Sequence, residues 1–522
     1  MRARDITVGL LALSLVMTAC STSDSDGTDA TTATTTGVAP ATSEPASTTT
    51  APPPSTTEPP PEPTPADAAT TEAVAAQLAM SPPGCEPLDT RACVLPFPSD
   101  VLTAADDTSE TGRRVSFPAA GLPANSSGAP IEPDAWNRRD GFSPNTPLLT
   151  WFDDLDPVAS RLPSWTDLGS SLDDDATVVL VDVTTGERIA LWAEIDVDSS
   201  SAPGQLLVIR PAISLAPATT YAVGLRDLVT TGGTPVEPSP AFRVLRDRLS
   251  TGIAPLDDRL TTMEATFDAL DAAGAPRAEL QLAWNFTTAS TADTTEEILL
   301  MRDESLDGLG TAAPVFEITP ITENPEPGLA RLVEGTYSVP NWMTLGGGPG
   351  TTLNRNADGV PELNGVQQSP FACVIADEVL ARDDPAHAVL YGHGLLGSHR
   401  EVDAGNIVAM SNEHHAIYCA TKWAGFSEDD IPTAIAALQD LSDFPVFVDR
   451  MSQGFVNQLV FGRLMLADNG LVGEPAFLRP DGSTMLDNSR LHYDGHSQGG
   501  IMGMALAAMS PDFERAVRGW PA

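Results

Sequence analysis

Hydrophobic positions change their spacing along this chain, and each change marks a different kind of element. From about residue 140 to 288 apolar residues alternate or cluster in short runs, the spacing of β-strands. Residues 176–183 and 189–195 flank Thr184-Thr185-Gly186-Glu187, which predicts a β-hairpin, and residues 205–210, 220–225 and 284–288 read as further strands. One helix interrupts them: Leu256, Leu260, Met263, Phe267 and Leu270 share a face over residues 253–273. Beyond residue 315 short apolar runs alternate with helical spacing. Strands are expected at 334–339, 371–375, 388–391, 416–421 and just before Ser497, with helices at 404–410, 433–441, 451–467 and 501–509. That alternation predicts a doubly wound, mostly parallel sheet following a β-rich domain. Residues 423–445 exceed what one crossover needs and read as an insertion able to cover a site at the strand ends.

The N-terminal end follows neither pattern. Arg2 and Arg4 precede an apolar run, residues 6–17, too short to span a bilayer, and Met17-Thr18-Ala19-Cys20 resembles a bacterial lipobox. That resemblance implies an exported protein held on the outer face of a membrane by lipid on Cys20, residues 1–20 being the signal. Residues 21–75 are Thr, Ser, Pro and Ala with too few apolar side chains to pack, and read as a disordered tether.

Composition narrows the partners. The 522 residues carry 71 acidic against 28 basic side chains, a formal charge of −43, and Lys422 is the single lysine. Such a surface argues against nucleic acid or an anionic membrane as partner; it fits a high-salt habitat or a GC-rich genome equally. In an exported protein Cys85 and Cys93, eight residues apart around a turn, form a local disulfide. Cys373 and Cys419 either pair or remain buried thiols. No Cys/His spacing resembles a zinc site, Asp173-Asp174-Asp175 reads as a solvated turn, and the glycine run at 346–350 lacks the lysine of a phosphate loop, so no metal or cofactor is expected.

The chemistry concentrates in Leu491-His492-Tyr493-Asp494-Gly495-His496-Ser497-Gln498-Gly499-Gly500, a strand, a sharp turn with Ser497 at its tip, and a helix with a stripe of small residues at Gly499, Gly503 and Ala507. Upstream, the strand Ala388-Val389-Leu390-Tyr391 runs into Gly392-His393-Gly394-Leu395-Leu396-Gly397. Together these resemble the G-x-S-x-G nucleophile elbow and the HG-rich oxyanion loop of α/β-hydrolases of the bacterial lipase and esterase type. The resemblance implies Ser497 as nucleophile and the N–H groups of Leu395 and Gln498 as oxyanion donors. It assigns Gly495, His496, Gly499, Gly392, His393 and Gly394 to shaping the elbow and loop. Residues 93–100 and 140–144 also resemble the N-terminal domain of bacterial virulence-factor-type lipases, and 215–233 resembles bacterial Ig-like modules. The expected organisation is therefore a β-rich Ig-like domain over 82–290 and an α/β-hydrolase domain over 315–522.

Against the family, the chain lacks one part. In that fold the acid and the histidine of the triad follow the serine, yet no histidine follows Ser497 and all seven lie at or before 496. The hydrolase domain is expected to be incomplete at its C-terminus and this chain to be nearly inactive. Two functions follow: a surface-anchored serine hydrolase of carboxylic esters, or a non-catalytic binding lipoprotein retaining the fold. Retention of both Ser497 and the HG loop favours the hydrolase.

Overall fold

The computed structural model describes residues 62–82, 84–88, 93–196 and 204–519; the lipobox with Cys20 and most of the Thr/Ser/Pro/Ala segment lie outside the described residues. Residues 68–75, expected to belong to the tether, are helical. Thr64–Pro65 pairs with Leu249–Ser250, and Ala68–Leu78 forms helix α1, capped by Asp67, whose carboxylate accepts from the Thr70 N–H at 2.7 Å. Val74 is fully buried, while the Gln77 amide donates to Pro87 O at 3.0 Å and accepts from the Ala241 N–H at 2.9 Å. This alanine-rich segment folds here because Val74, Leu78 and the Gln77 amide dock on a core built by residues far along the chain.

Besides a short pair at Thr103–Ala105 and Arg113–Val115, six strands build the core that follows: Leu148–Phe152 (β1), Val178–Asp182 (β2), Leu191–Ile195 (β3), Gln205–Pro211 (β4), Thr220–Arg226 (β5) and Leu280–Thr287 (β6). They form two antiparallel three-stranded sheets, ordered β1-β4-β3 and β6-β5-β2. The hairpin expected over 176–195 forms only beside its turn, where Val181 bridges Arg188 antiparallel and the Ile189 N–H bonds Leu180 O at 2.9 Å. Its turn forms, with the Gly186 N–H on Asp182 O at 2.9 Å, but beyond it β2 and β3 join different sheets. All of Val178, Val179, Leu180 and Val181 are buried, and β3 buries Leu191 and Ala193, so the two strands serve one core from opposite layers. The helix expected over 253–273 is three short ones, Ala254–Asp257, Arg259–Thr262 and Glu264–Ala272 (α2), whose shared face of Leu256, Leu260, Met263, Phe267 and Leu270 is buried throughout. Cys85 and Cys93 are disulfide-bonded, and between them Glu86 is wholly buried on Arg259, at 2.5 Å.

Helix α3, Thr291–Leu309, was not foreseen; its mixed composition hides a face carrying Met301 and Leu306 into a second core. That core belongs to a seven-stranded sheet of Phe316–Glu326 (β7), Leu329–Pro340 (β8), Val366–Ala376 (β9), Ala386–Gly392 (β10), Ala416–Thr421 (β11), Leu486–His496 (β12) and Phe513–Gly519 (β13). The order is β7-β8-β9-β11-β10-β12-β13. Its last three junctions are parallel and its first three antiparallel, so the sheet is mixed and not mostly parallel. A tight turn at Pro327-Gly328, with Gly328 at φ 88°, folds β8 straight back on β7, which an antiparallel pair allows and a parallel one forbids.

Strands at the centre read as unbroken apolar runs because both faces are covered. Phe371, Cys373, Leu390 and Cys419 enter the core shared with α3, with Pro445–Leu466 (α6) and with Gln498–Met509 (α7); Ala372, Val374, Val389 and Tyr418 enter the opposite one, beneath Gly405–His414 (α4). Cys373 and Cys419 face each other in register on β9 and β11, their Cα atoms 4.0 Å apart, and are disulfide-bonded. The insertion contains helix α5, Ile431–Gln439. Because β10 lies between β11 and β12, the chain leaves its end toward one neighbour while the later strand arrives on the other side, opening a crevice at the carboxyl ends.

The docking of α1 predicts a measurable cost. Gln77→Ala leaves Pro87 O and the Ala241 N–H buried and unpaired, and should lower unfolding free energy by about 1–3 kcal/mol; an unchanged urea midpoint would show that α1 is peripheral.

Candidate active site

Parallel register places the two sequence motifs side by side: Gly392 at the end of β10 is the partner of Gly495 at the end of β12. The loop 393–397 therefore leaves the sheet next to the turn 496–498. Ser497 occupies that turn with φ 50° and ψ −116°, a strained conformation for a residue with a side chain. Its N–H reaches Gly519 O at 3.2 Å, and its carbonyl accepts from Gly500 and Ile501 at 2.9 and 3.1 Å, starting α7.

The flanking glycines act through space and not through unusual dihedrals; neither Gly495 nor Gly499 has a positive φ. A Cβ on Gly495 would strike the main chain of Gly499, and one on Gly499 would strike Gly392 O and approach His393 O at 2.9 Å. A Cβ on Gly503 would strike the Tyr493 ring. The small-residue stripe thus lets α7 press onto β10 and β12. Tyr493 seals the contact, its buried hydroxyl donating to Gly499 O at 2.6 Å, and burial holds that phenol above its ordinary range.

Gly394 is the point where the loop meets the elbow. A Cβ there would stand 3.8 Å from Ser497 Cβ, 3.7 Å from His496 Cδ2 and 3.7 Å from Glu401 Oε2. His393 is wholly buried behind it. Its Nε2 lies 2.8 Å from the Trp423 N–H and must accept, so Nδ1 carries the proton and donates to Gly394 O at 2.8 Å. Both nitrogens are engaged, and burial lowers its basicity, keeping the ring neutral. Glu401, which no sequence pattern marked, accepts the Gly394 N–H at 2.9 Å and so fixes the loop from the side. Gly397 O in turn accepts from Glu428, tying the loop to the insertion, where buried Asp430 pairs with Arg450 at 2.8 Å. The acidic run at 428–430 is thus a brace: Lys422 pairs with Glu428 and Asp429, and Asp430 accepts from Ser427.

Among the described residues, neither the Leu395 N–H nor the Gln498 N–H donates to any acceptor. The Gln498 side chain is buried with both amide atoms unpaired. One of these unbonded N–H groups belongs to the residue after Ser497 and the other to the residue after Gly394, and main-chain donors of this kind are what an oxyanion at a serine would need. No histidine ring bonds Ser497. His387 and His492 lie edge to face at 5.8 Å, His415 bonds Asp384 O at 3.1 Å near the amino ends of the strands, and His414 is exposed on α4. His496 is exposed beside Asp494, whose carboxyl is raised by burial. His399, just past the loop, is mostly buried with Nδ1 unpaired; burial, then nearby Lys422, pushes it down to about 4.

No protein-family model and no curated protein matches the chain. Among solved structures it is similar to acetyl xylan esterase 1 from Thermoanaerobacterium sp. JW/SL YS485, at 16% identity and a TM-score of 0.24 over 43% of this chain and 57% of that one. It is similar also to an acetyl xylan esterase from Paenibacillus sp. R4, at 13%, 0.25, 43% and 58%, and to an S-formylglutathione hydrolase from Agrobacterium tumefaciens, at 16%, 0.23, 38% and 60%. The chain therefore spans less than two thirds of each of these proteins. Likeness this slight bears on neither substrate nor site residues.

Two outcomes follow from the packing and charge of this site. Gly499→Ala should cost about 1–3 kcal/mol by overpacking, read as a lower melting temperature. Gly308→Ala, in open space on α3, should be neutral or stabilising; equal effects would refute the close-approach argument. The depressed pKa of His399 means that the unfolded chain takes up its proton first, near 6.5, and the folded one only near 4. Stability from this group is present above pH 6.5 and falls across that window, by at most about 1.4 kcal/mol per pH unit. His399→Gln should flatten that fall in urea titrations at pH 7 and 4.5; an undiminished slope would exonerate His399.

Proposed function

We propose that Ser497 is the nucleophile of a carboxylic ester hydrolase held at the cell surface through lipid on Cys20. The observation that carries this reading is the strained turn at Ser497, set beside a loop whose Leu395 N–H, like that of Gln498, is left unbonded. In the reaction the Ser497 hydroxyl attacks the ester carbonyl carbon, losing its proton to a base. The carbonyl oxygen becomes an oxyanion between the two N–H groups, and the alcohol departs from the acyl-enzyme, which water then hydrolyses. No metal or cofactor enters this scheme. His393 holds the oxyanion loop and cannot serve as base, since both its nitrogens are engaged. In this reading none of the described histidines stands as base to Ser497, and these 522 residues alone turn esters over weakly or not at all. The β-rich residues 82–290, with two three-stranded sheets about one core, form an Ig-like domain in the same proposal, preceding a hydrolase domain over 315–522.

The alternative, a non-catalytic surface lipoprotein, has one observation on its side: the lack of an imidazole on Ser497. A fluorophosphonate probe separates the two. Applied to the protein as its complete gene encodes it, the probe should label Ser497, and Ser497→Ala should abolish both labelling and ester hydrolysis, a loss of several orders of magnitude. Mass spectrometry of the same material should find lipid on Cys20. An unlabelled Ser497 would leave the binding lipoprotein as the function, and equally strong labelling of the 522-residue chain would overturn the claim that its own histidines do not act.

A further inference from the structure

Which esters Ser497 can take turns on the space in front of Gly394. The position its missing Cβ would fill is 3.8 Å from Ser497 Cβ, 3.7 Å from His496 Cδ2 and 3.7 Å from Glu401 Oε2, and these are its nearest atoms outside the adjoining residues of the loop. A carbon atom fits there in ordinary contact with all three groups. Ser497 and Glu401 are half-buried and His496 is exposed, so solvent reaches each of them. An ester carbonyl brought to the Ser497 hydroxyl therefore has its neighbouring atoms close to the Glu401 carboxylate.

Spans of 3.7 and 3.8 Å laid end to end put Glu401 Oε2 within about 7.5 Å of Ser497 Cβ. That oxygen accepts the Gly394 N–H at 2.9 Å, and Glu401 forms no ion pair among the described residues. The cations around the loop do not offset its charge. Lys422 is shared by Glu428 at 3.1 Å and Asp429 at 2.7 Å, and Arg400 by Glu334 and, at 3.8 Å, Asp403. Arg450 pairs with buried Asp430 at 2.8 Å. Arg515 is in register with His492, well back along β12 from the serine. Helix α7 carries no charged side chain, and His496 turns a ring carbon toward the open position. A substrate charge near the reacting carbonyl therefore meets a carboxylate with no cation of its own.

We propose, on the footing of the esterase reading, that Glu401 determines the charge of the substrate: the site takes esters with a positive charge beside the reacting carbonyl in preference to those with a negative one. Acetylcholine and 3-acetoxypropanoate carry opposite charges at the same distance from the same acetyl carbonyl. With the protein as its complete gene encodes it, at low salt, kcat/KM for the cationic ester should exceed that for the anionic one by at least about tenfold, the factor that unit charges about 6 Å from a carboxylate supply even at the dielectric constant of water. Glu401→Gln keeps an acceptor for the Gly394 N–H and removes the charge, and should lower that ratio by about threefold or more. Raising salt to about 1 M should compress the ratio in the native protein by screening, a second measure should Glu401→Gln fail to fold. Labelling of Ser497 by an uncharged fluorophosphonate reads the esterase claim separately: an unlabelled serine with neither ester turned over would sink that claim and this inference with it. A labelled serine with a ratio near one, or with a ratio that both Glu401→Gln and salt leave unchanged, would overturn this inference alone.

Discussion

Everything at the candidate site depends on how closely α7 approaches the ends of β10 and β12. Gly495, Gly499 and Gly503 leave room for main chain to lie directly on main chain and on the Tyr493 ring. Close packing of this kind tolerates no added methyl, because surrounding backbone cannot yield as the far end of a side chain can. The contact forces Ser497 to cross from strand to helix in one residue at positive φ. It also brings the main chain of the 393–397 loop beside that crossing. The Ser497 turn and its closeness to the 393–397 loop are two consequences of one packing event.

What holds the loop in place is electrostatic and local. His393 works as a spacer with two hydrogen bonds, neutral because burial disfavours its charged form. Glu401 takes the Gly394 N–H, leaving the next N–H along, that of Leu395, free. The insertion is braced in turn by Asp430 and Arg450, both buried, with Arg450 also donating to Gly348 O at 2.8 Å. Buried ion pairs of this kind recur in the β-rich half, where Glu86 meets Arg259. Arginine suits these positions because its planar fork satisfies several acceptors at once, whereas lysine presents a single hydrated point charge. In a chain with net charge −43, Arg259 and Arg450 are among the cations whose pairing burial strengthens, whereas Arg161, Arg210 and Arg400 pair with carboxylates from exposed positions.

Much of this was legible from the chain. The serine turn, the glycine-rich loop and the strands that carry them are continuous in sequence, so local pattern sufficed to place Ser497, Leu395 and Gln498 on their elements. The amphipathic face of residues 253–273 was visible for the same reason, even though three short helices carry it. Glu401 and Trp423 were not visible, since each acts on the loop from a distance in sequence and belongs to no pattern that spacing could reveal. Helix α1 was hidden by composition: Val74, Leu78 and Gln77 dock it, and a window average weighs them against the Thr and Ala that make up most of the helix.

The sequence by itself determined the strands and helices that carry the serine turn and the glycine-rich loop, where the chain can turn sharply, and that a serine sits at one such turn; each is a property of a few consecutive residues. Only the tertiary structure decided which strands pair. The residues around Thr184-Thr185-Gly186-Glu187 predict a hairpin, yet β2 and β3 part because the burial of Val178–Val181 and of Leu191 is satisfied in different layers. The sheet is mixed because antiparallel β7, β8 and β9 stack on its early edge, a matter of how hydrogen bonds and cores close over long distances. The same holds for Cys373 and Cys419, whose bonding depends on the register of β9 against β11 and on nothing either cysteine carries in its own neighbourhood.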